Sequence, residues 1–310
     1  FFNSEGRRGL RYDVFMDGTR SAEMIAEYYC TKLAGQPADH AGQVIHPSIG
    51  GRNTPRRLGI SVPEIDANIT TAQHLAELVQ QCDPNAPAPV ISTYQSDIER
   101  AAEQTNATTA RFISEKVTTV VCMCDPIAPA FQTRGFTQQG YFPEYLMPGL
   151  GLLDYDKLGR LYDPQQMAHA FGPGHLAEPV PFEQSDAARM WRATGRSGLP
   201  CQSCNLHWGY MSFVAGILHY AGPNLNPATV EDAVLNRIPT YGGDVVGTQR
   251  IEFGPDDYTG ISDAREVYWC ATCASAIDGQ AGAYVSPNNA RRYQLGQWEP
   301  GMQSIPVAPS

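Results

Sequence analysis

The chain has 310 residues, with 22 Lys and Arg against 32 Asp and Glu, which gives a formal net charge of −10 at pH 7. This length allows one large or two medium domains with full cores, and the acidic balance argues against a nucleic-acid or anionic-membrane surface. No apolar run approaches the roughly 18 residues that a membrane span needs, and no signal peptide opens the sequence, so it is either cytosolic or separated from its leader.

Helices and strands alternate in the first half of the chain, as the spacing of the apolar residues indicates. Helices are predicted at 19–35, 70–82, 97–116, 128–141 and 154–163, and strands at 56–64, 88–96, 117–124, 143–149 and 167–172. The Gly-, Pro- and Arg-rich residues 36–57 are predicted to form a surface loop. Strands that alternate with helices of this length are typical of βαβ units, so an α/β fold with a parallel sheet is expected.

After residue 174 the pattern changes. A Pro-rich connection leads into a helix within 178–196, and the nearly uncharged helix 205–222 is predicted to be buried or to lie between domains. A polar helix is predicted at 226–238. Three short strands are then expected, at 248–254, 264–270 and 282–286.

The chain has eight cysteines, an even number, and six of them lie in close pairs. This pattern predicts disulfides and an extracytoplasmic, oxidising location. The bonds favoured are Cys201–Cys204, Cys270–Cys273 and, where two helices would have to pack side by side, Cys30–Cys82. For Cys122 and Cys124, two residues apart on one strand face, we favour two buried thiols over a strained bond.

Other uses of the cysteines were weighed. Haem attachment is excluded because Asn205 and Ala274, and not histidines, follow the CxxC pairs. A four-thiolate zinc site or a thioredoxin-like redox pair at Cys201 and Cys204 stays open as a weaker alternative. Four of the histidines, His169, His175, His207 and His219, lie without metal-ligand spacing, and no nucleophile motif is present. We therefore expect no enzyme, no cofactor and no metal.

The order of the segments resembles a known family. "YDVFMDGTRSAEMIAEYYCTKLAG", "RLGISVPE", "VTTVV" through "GYFPEYL", "NLHWGYMSFVAGILHYAG" and "EDAVLNRI" occur in the order seen in the type I periplasmic-binding-protein fold, in particular the branched-chain amino-acid (Leu/Ile/Val) binding proteins. The resemblance covers nearly the whole chain and depends on the order of these segments, not on any single motif. It implies a two-lobed α/β architecture with parallel-sheet lobes joined by a hinge.

The resemblance also implies a division of the chain. Residues 1–19 would be the end of the first lobe and the hinge, 20–200 the second α/β lobe, and 201–310 the return to the first lobe with a C-terminal segment. The hinge would be Asp17, Gly18 and Thr19. The first lobe would then lack its N-terminal strands, on the order of a hundred residues. We expect a fragment of a longer polypeptide, or a chain completed by a partner chain.

In open α/β sheets the ligand lies beyond the carboxyl ends of the strands. This rule selects six candidate ligand-binding residues: Asp66, Tyr94, Cys124, Asp125, Gly149 and Leu150. Each aspartate could bind a ligand ammonium or cap the following helix. Because these residues depart from the family's usual contacts, an α-amino-acid ligand is in doubt.

The function implied is that of an exported solute-binding protein. It would capture a small polar or amino-acid-like ligand between its lobes and present it to an ABC permease or receptor. Two alternatives stay open: a structural or assembly subunit that keeps the fold without a ligand, and a metal or redox protein that uses the CxxC pairs.

Overall fold

The computed structural model describes residues 12–198, 204–239, 249–255, 257–301 and 305. The helices, numbered along the chain, are α1 (Gly18–Tyr28), α2 (Asp66–Cys82), α3 (Ala101–Ser114), α4 (Ala128–Gln138), α5 (Asp156–Gly159), α6 (Pro164–Met167), α7 (Asp186–Ala193), α8 (Cys204–Ala221) and α9 (Pro227–Asp232). The π-helical turns Tyr29–Leu33 and Ala233–Arg237 extend α1 and α9.

The strands are β1 (Val44–His46), β2 (Gly50–Gly51), β3 (Leu58–Pro63), β4 (Val90–Tyr94), β5 (Thr119–Cys122), β6 (Glu144–Leu146), β7 (Ala170–Gly174), β8 (Asp263–Ala274), β9 (Ala281–Val285) and β10 (Arg292–Gln294). The main sheet has eight strands in the order β10-β8-β7-β6-β5-β3-β4, and β9 also pairs with β8. The strands from β3 to β7 are parallel, whereas β8 is antiparallel to each of its neighbours.

The parallel strands form because their residues are apolar on both faces. Every residue of β3 and of β5 is buried, as expected for a sheet covered by helices on both sides. One core cluster packs α1 and α2 against Ile60 and Val121, and the other packs α3 and α4 against Val120 and Tyr145. The α/β fold class expected from the sequence is therefore confirmed.

Several local predictions are wrong. Residues 36–57 are not a surface loop: they form the β1–β2 hairpin and bury Ala38, Ala41 and Ile45. The predicted helix 154–163 is helical only over α5, and β10 was not foreseen. The predicted strand 248–254 makes only isolated bridges, at Ile251 and Gly254.

Helix α8 is also less buried than predicted. Phe213 is buried and stacks on Phe253 with ring centroids 5.6 Å apart, but Met211 is 64% exposed and Leu218 is also exposed. The sequence shows that the helix is uncharged, but not how much of its circumference meets the rest of the chain. A single stripe of α8 makes that contact.

Two of the predicted disulfides lie within the described residues. Cys30–Cys82 joins the π-helical turn after α1 to the end of α2, with Cα atoms 5.9 Å apart. Cys270–Cys273 lies within β8, with Cα atoms 5.3 Å apart. The predicted partner of Cys204, Cys201, lies outside the described residues, and Cys204 is itself disulfide-bonded.

The preference for free thiols at Cys122 and Cys124 is wrong, because the structure joins their sulfurs. Two residues of an extended strand are separated by roughly 6.6 Å. Here β5 ends at Cys122, although the Met123 N–H still donates to the Ser61 carbonyl of β3 at 2.9 Å, and the two Cα atoms approach to 5.0 Å. That separation is within the range of disulfides.

A buried ion pair holds the amino-terminal side of the sheet together. The Arg56 guanidinium donates to both carboxylate oxygens of Glu144, at 2.8 and 2.7 Å, and both side chains are almost fully buried. Burial alone would raise the pKa of Glu144, but the charge of Arg56 and hydrogen bonds from Arg56 and Thr119 outweigh it and lower that pKa. The pair links the segment before β3 to the first residue of β6.

Replacing Arg56 with Met tests this pair. The variant leaves Glu144 as an unpaired buried carboxylate, so we expect a loss of about 3–5 kcal/mol in unfolding free energy, measured by urea denaturation. Arg57→Met is the matched control, because its partner Glu115 is half exposed and such pairs contribute at most about 1 kcal/mol. Equal losses in the two variants would contradict the role given to Arg56.

Candidate functional site

The loops that follow β3 to β7 all lie at one edge of the sheet, because these strands are parallel. The strand order reverses between β3 and β5, since β3 pairs with both β4 and β5. Such a reversal leaves room for a ligand between the loops at the carboxyl ends. Two cavities among the described residues lie at this edge.

The first, here called the helix cavity, lies between the first turns of α3 and α4 and has a volume of about 230 Å³. Its wall includes the ends of β3 and β4 and the loops that precede both helices. Lining residues include Ser61, Tyr94, Ile98, Thr105, Asp125 and Phe131. Two of the predicted ligand-binding residues, Tyr94 and Asp125, therefore face this cavity.

Tyr94 and Asp125 bind each other. The Tyr94 hydroxyl donates to Asp125 Oδ2 at 2.8 Å and accepts from the Asp125 backbone N–H at 3.0 Å. Burial, then the charge of Asp125, raises the pKa of Tyr94, so the phenol stays protonated. Asp125 Oδ1 accepts from the N–H groups of Ile127 and Ala128, so the carboxylate also caps the start of α4.

The second, here called the junction cavity, has a volume of about 240 Å³. It lies between residues 13–17 and the loops that follow β6 and β7, and its lining includes Asp17, Gly149, Leu150, Leu152 and His175. The predicted residues Gly149 and Leu150 thus face a different cavity from Tyr94 and Asp125.

His175 is the most unusual residue of the junction cavity. His175 is the residue directly after β7. It is only 4% exposed, and its Nε2 has no hydrogen-bond partner among the described residues. Burial, with a smaller effect of the Arg292 charge, lowers the pKa of His175 to about 3, so the imidazole is neutral at physiological pH. Buried polar atoms nearly always have a partner, so this nitrogen is an exception to the usual pattern.

Gly149 lets the loop after β6 approach His175. A Cβ atom on Gly149 would lie 2.1 Å from the backbone nitrogen of His175, and its own N–H donates to the Pro173 carbonyl at 3.0 Å. Only a residue without a side chain fits here. The close contact keeps His175 at the wall of the cavity.

Two further buried groups near this edge lack a complete set of partners. Asp154 Oδ2 accepts from the Leu176 N–H at 2.8 Å, while its Oδ1 and the Tyr210 hydroxyl have no partner among the described residues. Burial raises the pKa of Asp154 despite the nearby charge of Arg265, and burial together with the charge of Asp154 raises the pKa of Tyr210. Tyr210 packs against Phe15, a lining residue, with the ring planes tilted by 53° and the ring centroids 4.6 Å apart.

The predicted hinge residues lie at the start of α1. The buried Asp17 caps this helix, accepting from the Arg20 N–H at 2.9 Å, and its own N–H donates to Thr259 Oγ1 at 2.8 Å. Thr19 lies in the first turn, and Gly18 lines a small recess together with Leu150 and Asn68.

The remaining candidates lie away from both cavities. Asp66 is exposed in the first turn of α2, and Cys124 is buried in the core and bonded to Cys122. Sequence reasoning had set His175 aside because it lacks metal-ligand spacing. Its position directly after a parallel strand was the signal that could have selected it.

The four-thiolate zinc alternative loses its ligands in the structure. Cys270 and Cys273 are bonded to each other and Cys204 is also in a disulfide, so none of them is a thiolate. Within the described parts of the chain, no three His, Cys, Asp or Glu side chains form a group that could hold a metal ion. None of the helices described there is both long and apolar enough to span a membrane.

Comparison with known proteins identifies the fold. No protein-family model and no curated protein matches the chain. A solute-binding protein of an ABC transporter from Rhodopseudomonas palustris BisB5, in complex with 3,4-dihydroxy benzoic acid, is similar in structure, with a TM-score of 0.60 and 9% identity over 94% of this chain and 69% of that one.

Two other solved structures agree. An ABC-transporter substrate-binding protein from Aeropyrum pernix has a TM-score of 0.56 and 11% identity over 96% of this chain and 68% of its own. A branched-chain amino-acid ABC transporter protein from Thermus thermophilus with bound valine has a TM-score of 0.53 and 13% identity, over 92% of this chain and 68% of its own. The chain therefore has the type I periplasmic-binding-protein fold and spans about two thirds of these relatives' lengths.

The low pKa of His175 predicts how stability changes with pH. The unfolded imidazole takes up a proton near pH 6.5, whereas the folded one does so only at about pH 3. Between these values the unfolded state binds more protons, so stability is lost as the pH falls. At pH 5 the unfolding free energy is lowered by about 2 kcal/mol through this effect.

The variant His175→Phe keeps an aromatic ring at this position and removes the titratable imidazole. From pH 7 to pH 5 we expect its unfolding free energy to improve by about 2 kcal/mol relative to that of the native chain, measured by urea denaturation at each pH. A constant difference between the two proteins over this range would show that His175 titrates normally in the folded state.

Proposed function

We propose that this chain is a solute-binding protein. It captures a small polar or amino-acid-like ligand in the junction cavity and presents the closed form to an ABC importer or receptor. The proposed role is binding and not catalysis. The fold shared with solute-binding proteins of ABC transporters supports this proposal, because related architectures there hold small ligands.

The observation that carries the proposal is that His175 lines the junction cavity and that its buried Nε2 has no partner among the described residues. Leaving a buried polar atom unsatisfied costs about 1–3 kcal/mol. A ligand that hydrogen-bonds this nitrogen recovers the loss when it binds. A neutral imidazole offers either one donor or one acceptor there, which suits a polar solute.

The position of the cavity supports binding by closure. One wall is the segment 13–17, which is tied to residues 258–260: the Asp13 N–H donates to the Tyr258 carbonyl at 2.9 Å, and the Gly260 N–H donates to the Asp13 carbonyl. The other wall is formed by loops of the parallel sheet. In the proposed domain division, these walls belong to the hinge and to the second lobe, so a ligand held between them favours the closed state.

The disulfides support an extracytoplasmic location. Three bonds are present within the described residues, and such bonds persist in oxidising compartments. A periplasmic, cell-surface or secreted binding protein meets this condition.

A second candidate function is that of an assembly subunit, and one observation favours it. The exposed apolar residues Met211, Val214 and Leu218 lie on α8, which leaves an apolar surface that another chain could cover. Light scattering of the purified chain distinguishes the two: a stable complex that binds none of the tested solutes favours assembly, and a monomer that binds a solute favours the proposal.

The binding proposal predicts ligand-dependent stabilisation. We would screen amino acids, small aromatic acids and sugars at millimolar concentration by their effect on the melting temperature. A solute at a hundred times its Kd stabilises the fold by about 2.7 kcal/mol. The most effective solute should bind His175→Phe between roughly 2-fold and 10-fold more weakly, the effect of one neutral hydrogen bond, as measured by calorimetry.

His219→Phe is the matched control, since His219 is exposed on α8 and lines neither cavity. Its affinity for the same solute should equal that of the native chain. If no solute in the screen raises the melting temperature, or if both histidine variants bind equally well, the junction cavity is not the site proposed.

A further inference from the structure

We propose that the helix cavity is a second, separate binding site, specific for a compact aromatic molecule that carries no charge. It lies over β3 and β4 between α3 and α4, whereas the junction cavity lies at the ends of β6 and β7. No lining residue is shared by the two cavities. The proposal therefore does not depend on the function assigned to the junction cavity.

The space exists because short side chains face each other across the two helices. Ala101 of α3 and Ala128 of α4, both with short side chains, line the cavity. One turn further along, the helices are in close contact: a Cβ on Gly135 would lie 2.2 Å from Thr105 Cγ2. Protein interiors are normally packed without voids of this size, so a cavity of about 230 Å³ is large enough to hold a ligand.

Several polar side chains of the wall are already bonded within the protein. Gln132 Nε2 donates to Ser61 Oγ at 2.8 Å, and Gln132 Oε1 accepts from the Tyr145 hydroxyl at 2.6 Å. The Tyr94 hydroxyl is bound to Asp125. A polar ligand would have to compete for these partners, while an apolar ring fills the space without breaking any of them.

The mouth of the cavity is apolar and open. Ile98 is 71% exposed and Ile127 is 46% exposed, and both line the cavity beside the half-buried ring of Phe131. An aromatic molecule in the cavity would cover these side chains and pack its ring against Phe131. Three large apolar side chains around one opening are typical of a ligand site rather than of a solvent-facing loop.

Charge excludes anions from this site. Asp97 and Asp125 both line the cavity, and none of its lining residues is Lys, Arg or His. A carboxylate-bearing ligand would therefore be repelled at the mouth without gaining a counter-ion. The site differs in this respect from one built for an acid.

Indole and indole-3-carboxylate form a matched pair of probes, since they share the ring system and differ in charge at pH 7. We expect calorimetry to show indole binding to the native chain and binding of the carboxylate at least tenfold weaker. Ala101→Phe places a ring inside the cavity and should weaken indole binding at least tenfold. Ala102→Phe, at the next residue but exposed, is the control and should leave it unchanged.

Intermolecular NOEs locate the probe without relying on a variant. We expect contacts from indole protons to Phe131 and to the methyl groups of Ile98 and Ile127. The proposal is overturned if indole does not bind the native chain, if it binds both alanine variants equally well, or if the carboxylate binds as tightly. NOEs to Leu150 or Leu152 instead would place indole in the junction cavity and would also overturn it.

Discussion

The parallel pairing of β3 with both β4 and β5 is the constraint on which the rest of the structure depends. Ile60 pairs with Ile91 on one side and with Val121 on the other, so the chain moves across the sheet in one direction from β3 to β4 and in the opposite direction from β4 to β7. The loops at the carboxyl ends then separate at one point of the edge. Both cavities lie along that edge, and the side chains that face them come from loops far apart in the sequence.

The buried ion pair and the proposed binding site lie at opposite ends of the sheet. At the amino ends, the Arg56–Glu144 pair is fully hydrogen-bonded and buried. At the carboxyl ends, His175 Nε2 is buried without a partner among the described residues, next to a glycine that allows close contact. An unsatisfied group reduces the stability of the free protein, and a ligand can restore it. Near the amino ends, His40 Nδ1 and Arg57 Nε also lack a hydrogen-bond partner among the described residues, so the binding role proposed for the carboxyl edge depends on the cavity that His175 lines.

Much of the fold could be predicted from the sequence, because buried parallel strands consist of continuous apolar runs. The strand at 117–124 and the helix 70–82 are examples: the structure places β5 and α2 there. Elements that depend on distant contacts could not be predicted. Residues 36–57 are polar in composition, yet Ala38 and Ile45 are buried by tertiary packing, and α8 has an apolar face that the described chain leaves exposed.

The candidate site was predicted only in part, for the same reason. The rule that ligands lie beyond strand ends selected Tyr94, Asp125, Gly149 and Leu150, and these four do line cavities. The rule could not show that they line two separate ones, since that depends on how α3 and α4 pack. His175 also follows a parallel strand, but its burial and its missing partner could not be predicted from the sequence.

Hydrogen exchange measured by mass spectrometry, with and without the most stabilising solute, tests the central claim most directly. If the solute binds in the junction cavity, amides of residues 13–17, 149–153 and 175–176 become protected, while those of 95–105 and 125–132 around the helix cavity do not change. Protection confined to the amino-terminal ends of the strands or to the β8–β9 hairpin would show that the solute binds elsewhere and would contradict the account.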